Sequence, residues 1–245
     1  MSLQPWRKGK VIKIEEYKPA TKRFWIQIPE LERFDFVPGQ FVTLDLPIHE
    51  IPERRWRNYS IASWPDGSNV FELIVILLPG GAGTTYLFNE VKVGTEINVR
   101  GAQGIFVLPP KLDHDIFLIC TGTGLAPFRG MVNHVHNHKI PFKNIYLIFG
   151  CRTKDNLLYY DELTALQEKT PGLHYIPTLS RENWPHRKGY VHPIYEELCR
   201  DRQPAHFFLC GWHNMMEDAR KTITGLGYDK QVIHQEFFLT EEESN

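Results

Sequence analysis

Arg57-Asn58-Tyr59-Ser60 is a run whose side chains suit a planar ligand carrying phosphate. On an extended strand, alternate side chains share a face, so Arg57 and Tyr59 stand together. A guanidinium meets a diphosphate in a fork geometry that lysine does not reproduce. An aromatic ring covers a planar heterocycle, and a hydroxyl hydrogen-bonds a ring nitrogen. The same four residues also describe an edge strand with an exposed arginine and a core tyrosine.

Two glycine-bearing turns add to this. Thr121-Gly122-Thr123-Gly124 follows the apolar run Ile116–Ile119 and leads through Pro127 into a stretch with helical spacing, 126–137. Glycines there allow a close backbone approach, and a helix N-terminus offers partial positive charge to a pyrophosphate. The general dinucleotide fingerprint G-x-G-x-x-G is absent, and an ordinary strand-to-helix turn fits the same residues. Gly83-Thr84-Thr85 likewise opens a short helix, 84–90, whose amides suit a phosphate.

The elements that must position these groups differ between the two halves. From Lys8 to about Pro110 the apolar runs are short and turn-punctuated: 11–14, 24–28, 41–44 and 71–77, with Pro38-Gly39, Pro65-Asp66-Gly67 and Val93-Gly94 between them. That grammar predicts an antiparallel β-barrel or sandwich. The second half alternates apolar strands (116–119, 145–149, 174–178, 207–210, 232–234) with helical segments (126–137, 160–168, 214–226). It predicts an α/β domain with a parallel sheet covered on both faces. The prolines at 109 and 110 place the boundary there, giving domains 1–110 and 111–245.

Composition narrows the setting. The chain has 245 residues, 42% hydrophobic and 23% charged, with a net charge of −1. That charge gives no global basic field for nucleic acid or an anionic membrane. The four cysteines form no Cys-x-x-Cys pair or iron–sulfur spacing, and they read as reduced thiols. No apolar run approaches the roughly 20 residues of a membrane helix, and Met1 to Lys13 lacks a signal-peptide core. A soluble, cytoplasmic protein is expected. His134 and His138 share a helical face but have no carboxylate or cysteine near in sequence, so a solvated helix end is favoured over a metal site.

The motifs, taken in order, resemble the ferredoxin–NADP reductase family. Arg57-Asn58-Tyr59-Ser60, then Gly80-Gly81-Ala82-Gly83-Thr84-Thr85, then Gly101-Ala102-Gln103-Gly104-Ile105-Phe106 are similar to its R-x-Y-S, Gly-rich turn and G-P-x-G-x-F segments. Gly122 to Pro127 matches its T-G-x-A-P loop, with Thr121 in place of the first glycine. Cys210-Gly211-Trp212-His213-Asn214-Met215 resembles its C-G-x-x-x-M loop at the nicotinamide end. Gly150-Cys151-Arg152-Thr153 and Leu179-Ser180-Arg181-Glu182 resemble the segments at the adenosine end. The chain departs from the pattern at Ile76-Leu77, where relatives usually carry Lys-Arg, and at Ala102.

The resemblance implies an FAD-binding barrel followed by an NAD(P)-binding domain. It implies that Arg57 holds the FAD pyrophosphate, Tyr59 stacks on the isoalloxazine and Ser60 sits near its N5. Lys188-Gly189-Tyr190, beyond Ser180 and Arg181, has the form of the pair that grips the 2′-phosphate of NADP, so NADP is expected over NAD. Near the chain's end, Glu236 would pair with Ser60 beside N5, Cys210 would lie near the transfer site, and Phe238 would shield the ring until nicotinamide displaces it. The implied activity is electron transfer between NADPH and a one-electron carrier, ferredoxin or flavodoxin. An NADH-dependent reductase of a haem protein or oxygenase component, and a non-catalytic electron-transfer subunit, are the alternatives.

Overall fold

The computed structural model describes residues 4–237, and Phe238 with the tail beyond it lies outside them. The first half forms β1 (Trp6–Lys18), β2 (Thr21–Gln27), β3 (Phe41–Asp45), β4 (Trp56–Ser60), β5 (Val70–Ile76) and β6 (Glu96–Gln103). They pair in the order β4-β3-β6-β1-β2-β5, antiparallel throughout. Period-two patterning sends Val11, Phe24, Ile26, Val42, Leu44, Ile97 and Val99 into one shared core. The helix α1 (Ala82–Asn89) follows β5 and buries Leu87 against that core.

The second half forms β7 (Asp115–Thr121), β8 (Ile145–Cys151), β9 (Leu173–Leu179), β10 (Arg187–Lys188), β11 (Ala205–Gly211) and β12 (Ile233–Phe237). Their order is β10-β9-β8-β7-β11-β12, all parallel. Side chains from alternate positions of β7 enter opposite layers. Ile116, Leu118 and Cys120 meet α2 (Leu125–Asn137) and α3 (Tyr160–Lys169). Phe117 and Ile119 meet α4 (His192–Leu198) and α5 (His213–Gly225). Burial on both faces is why these strands read as unbroken apolar runs.

Three elements go beyond the sequence expectation. In β6 a period-two alternation of Ile97 and Val99 with Glu96, Asn98 and Arg100 is hidden in a polar stretch. β10 is only two residues long, and α4 starts at His192-Pro193, a proline position that favours a helical first turn. The halves also share a core: Ala62, Ile74 and Phe106 lie in the same cluster as α2 and α3, and the Phe106 ring meets Phe128 at 5.8 Å and Phe208 at 5.5 Å. No described helix is long and apolar enough to cross a membrane.

Candidate functional site

The chain leaves β7 for β8 on one side, while β11 lies on the other, so the strand order reverses between β7 and β11. Open parallel sheets bind ligands outside the carboxyl ends of strands at such a point. Gly122–Gly124 makes a tight turn here before α2. A Cβ on Gly124 would lie well inside contact distance of the Cys210 carbonyl oxygen, so only glycine fits. Gly211, at φ +144°, presses in the same way against Thr121, whose Oγ1 accepts a hydrogen bond from the Trp212 amide at 3.1 Å. The Trp212 indole, 51% exposed, stands over Gly122. Together these residues form a glycine-floored cradle with an aromatic wall, a shape that fits a dinucleotide.

The Arg57–Ser60 strand reaches this cradle through a hydrogen bond. Ser60 Oγ, at the end of β4, donates to Glu236 Oε2 on β12 at 2.8 Å, across 176 residues of chain. Burial pushes the Glu236 carboxyl up to about 7, the Ser60 hydrogen bond pulling the other way. Cys210 pairs with Glu236 in register, and its own thiol is fully buried. Burial and the neighbouring Glu236 push that thiol well up, so it stays protonated, and Cys210 lends the cradle its carbonyl rather than its sulfur.

Arg57 runs along the start of α1. Its Cγ would lie 2.9 Å from a Cβ on Gly83, and its Nη1 donates to the carbonyls of Arg54 and Trp56 at 2.9 Å. A fixed guanidinium beside the first amides of a helix is a donor set that fits a diphosphate. Thr84 has a local task, its Oγ1 donating to the Gly81 carbonyl and accepting from the Leu78 amide at 3.1 Å. The Thr85 amide is bonded to the Gly81 carbonyl at 2.9 Å, and the residue itself is exposed at the helix start. Tyr59 packs partly into the barrel core, and exposed Asn58 accepts from Thr43 Oγ1 at 2.8 Å.

At the other end of the sheet, the residues after β8 and β9 meet. The Arg181 amide bonds the Arg152 carbonyl at 2.9 Å, and Ser180 caps Cys151. β10 then lays Lys188 beside Leu179, and the Gly189 amide closes on the Leu179 carbonyl. Arg152, Ser180, Arg181, Lys188 and Tyr190 are thus gathered on one exposed edge, with Tyr190 73% exposed. Met215 and Pro127 are different, since both pack into the interior and support the cradle from below. Phe238 lies outside the described residues. A cavity of about 620 Å³, lined by Tyr17, Arg23, Tyr160 and Trp184 among others, shares no residue with the Ser60–Glu236 junction or the glycine turn.

Sequence reasoning missed Trp212, whose only signal was its place directly after Gly211. It also missed Arg129, Glu72 and Tyr159, buried between the halves.

Comparison with known proteins agrees with this architecture. Residues 8–108 match a family model described as an oxidoreductase FAD-binding domain, and residues 118–221 one described as an oxidoreductase NAD-binding domain. Ferredoxin–NADP reductase B of Sorangium cellulosum is 31% identical over 237 residues, covering 93% of this chain and 96% of that protein. The electron transfer component of anthranilate 1,2-dioxygenase from Acinetobacter baylyi is 28% identical over 85% of this chain, which spans 60% of that protein's length. The solved structure of a ferredoxin NADP+ reductase from Neisseria gonorrhoeae, with FAD and NADP bound, has a TM-score of 0.76. It is 25% identical, over 94% of this chain and 98% of that one.

Proposed function

The chain belongs to the ferredoxin–NADP reductase family of FAD- and NAD(P)-binding oxidoreductases, and from that premise we propose that it passes electrons from NADPH through FAD to a separate one-electron carrier, a ferredoxin or flavodoxin. One observation carries the reading: the Ser60–Glu236 bond joins the R-x-Y-S strand to the strand end beside the dinucleotide cradle. FAD, when bound, supplies the conversion between a hydride pair and single electrons. The protein fixes distance, orientation and access.

Each residue then has a task. Arg57 and the first turn of α1 hold the FAD diphosphate, and Tyr59 with Ser60 border the ring. Gly122–Gly124 and Gly211 let the dinucleotide backbone approach. Glu236, titrating near neutrality, holds a proton at its carboxyl and exchanges it with the Ser60 hydroxyl. Ser180, Arg181, Lys188 and Tyr190 supply the charge and hydroxyls that favour a 2′-phosphate, with Arg152 beside them. We place the division between the two domains at residue 110. A second reading, reduction of an oxygenase component, is favoured by the name of the Acinetobacter relative.

Purified protein should be yellow, with a flavin spectrum and one FAD per chain. Stopped-flow reduction should be faster with NADPH than with NADH, and replacing Arg181 and Lys188 together should erase that preference. A colourless protein that takes up no FAD would overturn the reading. Reduction rates with ferredoxin, flavodoxin and an oxygenase component as acceptors separate the two versions of it.

A further inference from the structure

Arg129 on α2 makes four side-chain hydrogen bonds where the two halves meet, two of them to the first half. Its Nη1 donates to the Ala62 carbonyl at 2.8 Å and to Glu72 Oε2 at 2.9 Å. Its Nε and Nη2 meet the two carboxylate oxygens of Glu162 at 2.8 and 2.9 Å, as a fork. Glu72 in turn accepts from Arg23 Nε and from the Tyr159 hydroxyl, each at 2.6 Å. The Tyr159 ring lies between two guanidinium groups, Arg129 at 4.1 Å and Arg23 at 5.0 Å. Arg129, Glu72 and Tyr159 are all buried.

These contacts close into a ring that begins and ends at Ser60. Ala62, held by Arg129, lies two residues past Ser60. Gly130, next along α2, rests directly on that segment, since a Cβ there would come within 2.6 Å of the Ser63 carbonyl oxygen. At the start of the same helix Gly124 rests on the Cys210 carbonyl. Cys210 pairs with Glu236, and Glu236 accepts from Ser60. Every link is a backbone contact or a buried or partly buried hydrogen bond, so shifting α2 moves the glycine turn relative to Ser60.

We propose that Arg129 is a positioning residue, which sets the separation between the Gly122–Gly124 turn and Ser60 and thereby registers the dinucleotide against the flavin. The inference rests on the functional reading above. Lysine keeps the charge at this position but not the planar fork that reaches Ala62, Glu72 and Glu162 together. A misplacement of about 1 Å between reacting groups costs on the order of 100-fold in rate, so a small movement of α2 is enough to be read.

The test compares holoenzyme of the parent, Arg129→Lys and Gly130→Ala, the second displacing the same segment without touching a charge. FAD content, kcat and KM for NADPH are measured. So is the long-wavelength absorption that appears when NADP+ stacks on the reduced flavin. Both variants should keep FAD, hold KM within about twofold, lower kcat by about tenfold or more and weaken the absorption. If one variant does not fold, the other decides. Unchanged kcat and absorption in a folded variant, a loss confined to KM, or loss of FAD from both would assign Arg129 to holding the fold alone and overturn the proposal. A parent that lacks FAD or is not reduced by NADPH brings down the functional reading instead, before any variant is made.

Discussion

Replacing Glu72 by glutamine removes one negative charge from between buried Arg129 and half-buried Arg23. Breaking a buried ion pair from one side costs roughly 3–5 kcal/mol, because the remaining charge is stranded. Here both arginines keep a second carboxylate: Arg129 retains Glu162, whose side chain is 33% exposed, and Arg23 retains Glu15, 35% exposed. The cost should therefore fall at the lower end, about 3 kcal/mol. At roughly 2–4 °C per kcal/mol for a chain of this size, the melting temperature should drop by about 6–12 °C. The assay is thermal unfolding at pH 7, with FAD in equal excess for parent and variant. The pH dependence adds a second check. Burial pushes the Glu72 carboxyl up, but the Arg23 hydrogen bond and the charges of Arg129 and Arg23 outweigh it and hold it below its ordinary value. A lowered carboxylate stabilises the fold above its unfolded pKa of about 4.3 and loses that contribution as pH falls through the folded value. The gap between parent and Glu72→Gln should thus narrow in acid. A melting temperature within about 2 °C of the parent at pH 7, against the 2–4 °C per kcal/mol scale, would refute the reasoning.

Glu236→Gln should abolish a pH step in kcat centred near the value of about 7 that burial gives the carboxyl, while leaving FAD content unchanged; an identical pH profile in parent and variant would remove Glu236 from the proton path. Gly124→Ala should weaken NADPH binding at least about tenfold, because its Cβ meets the Cys210 backbone rather than a movable side chain; difference titration reads it, and an unchanged Kd counts against the cradle. Arg57→Lys should loosen FAD by about 10- to 100-fold, the scale of one charged hydrogen bond of roughly 1.5–3 kcal/mol, as read by flavin fluorescence on dilution; full retention of FAD would contradict the diphosphate role.

Much of the fold was legible because local patterns and tertiary burial agree. The runs around Ile116, Ile145 and Phe207 are apolar at every position because both faces are covered, and a strand of that kind announces itself. The Gly122–Gly124 turn was legible for the same reason, since backbone crowding demands glycine at 124 and a φ of +54° favours it at 122. Ser60 and Glu236 are different. They lie 176 residues apart, and only the resemblance to a family joined them in advance. The Arg129 network was not legible at all. Its members are separated by 57 and 87 residues, and an arginine or glutamate in a sequence looks like a solvated surface group until the fold buries it. β6 was missed because its inward Ile97 and Val99 alternate with charges in a stretch dominated by polar residues.

The shared core of Ala62, Ile74 and Phe106 with α2 and α3 bears on how the molecule behaves as a unit. The halves are not interchangeable modules. Cut apart, each would present to water the apolar face that the other now covers. They should accordingly melt in a single transition. A hybrid built from the first half of one relative and the second half of another would also need matched partners for Phe106, Phe128 and Phe208 before any cofactor could settle between them.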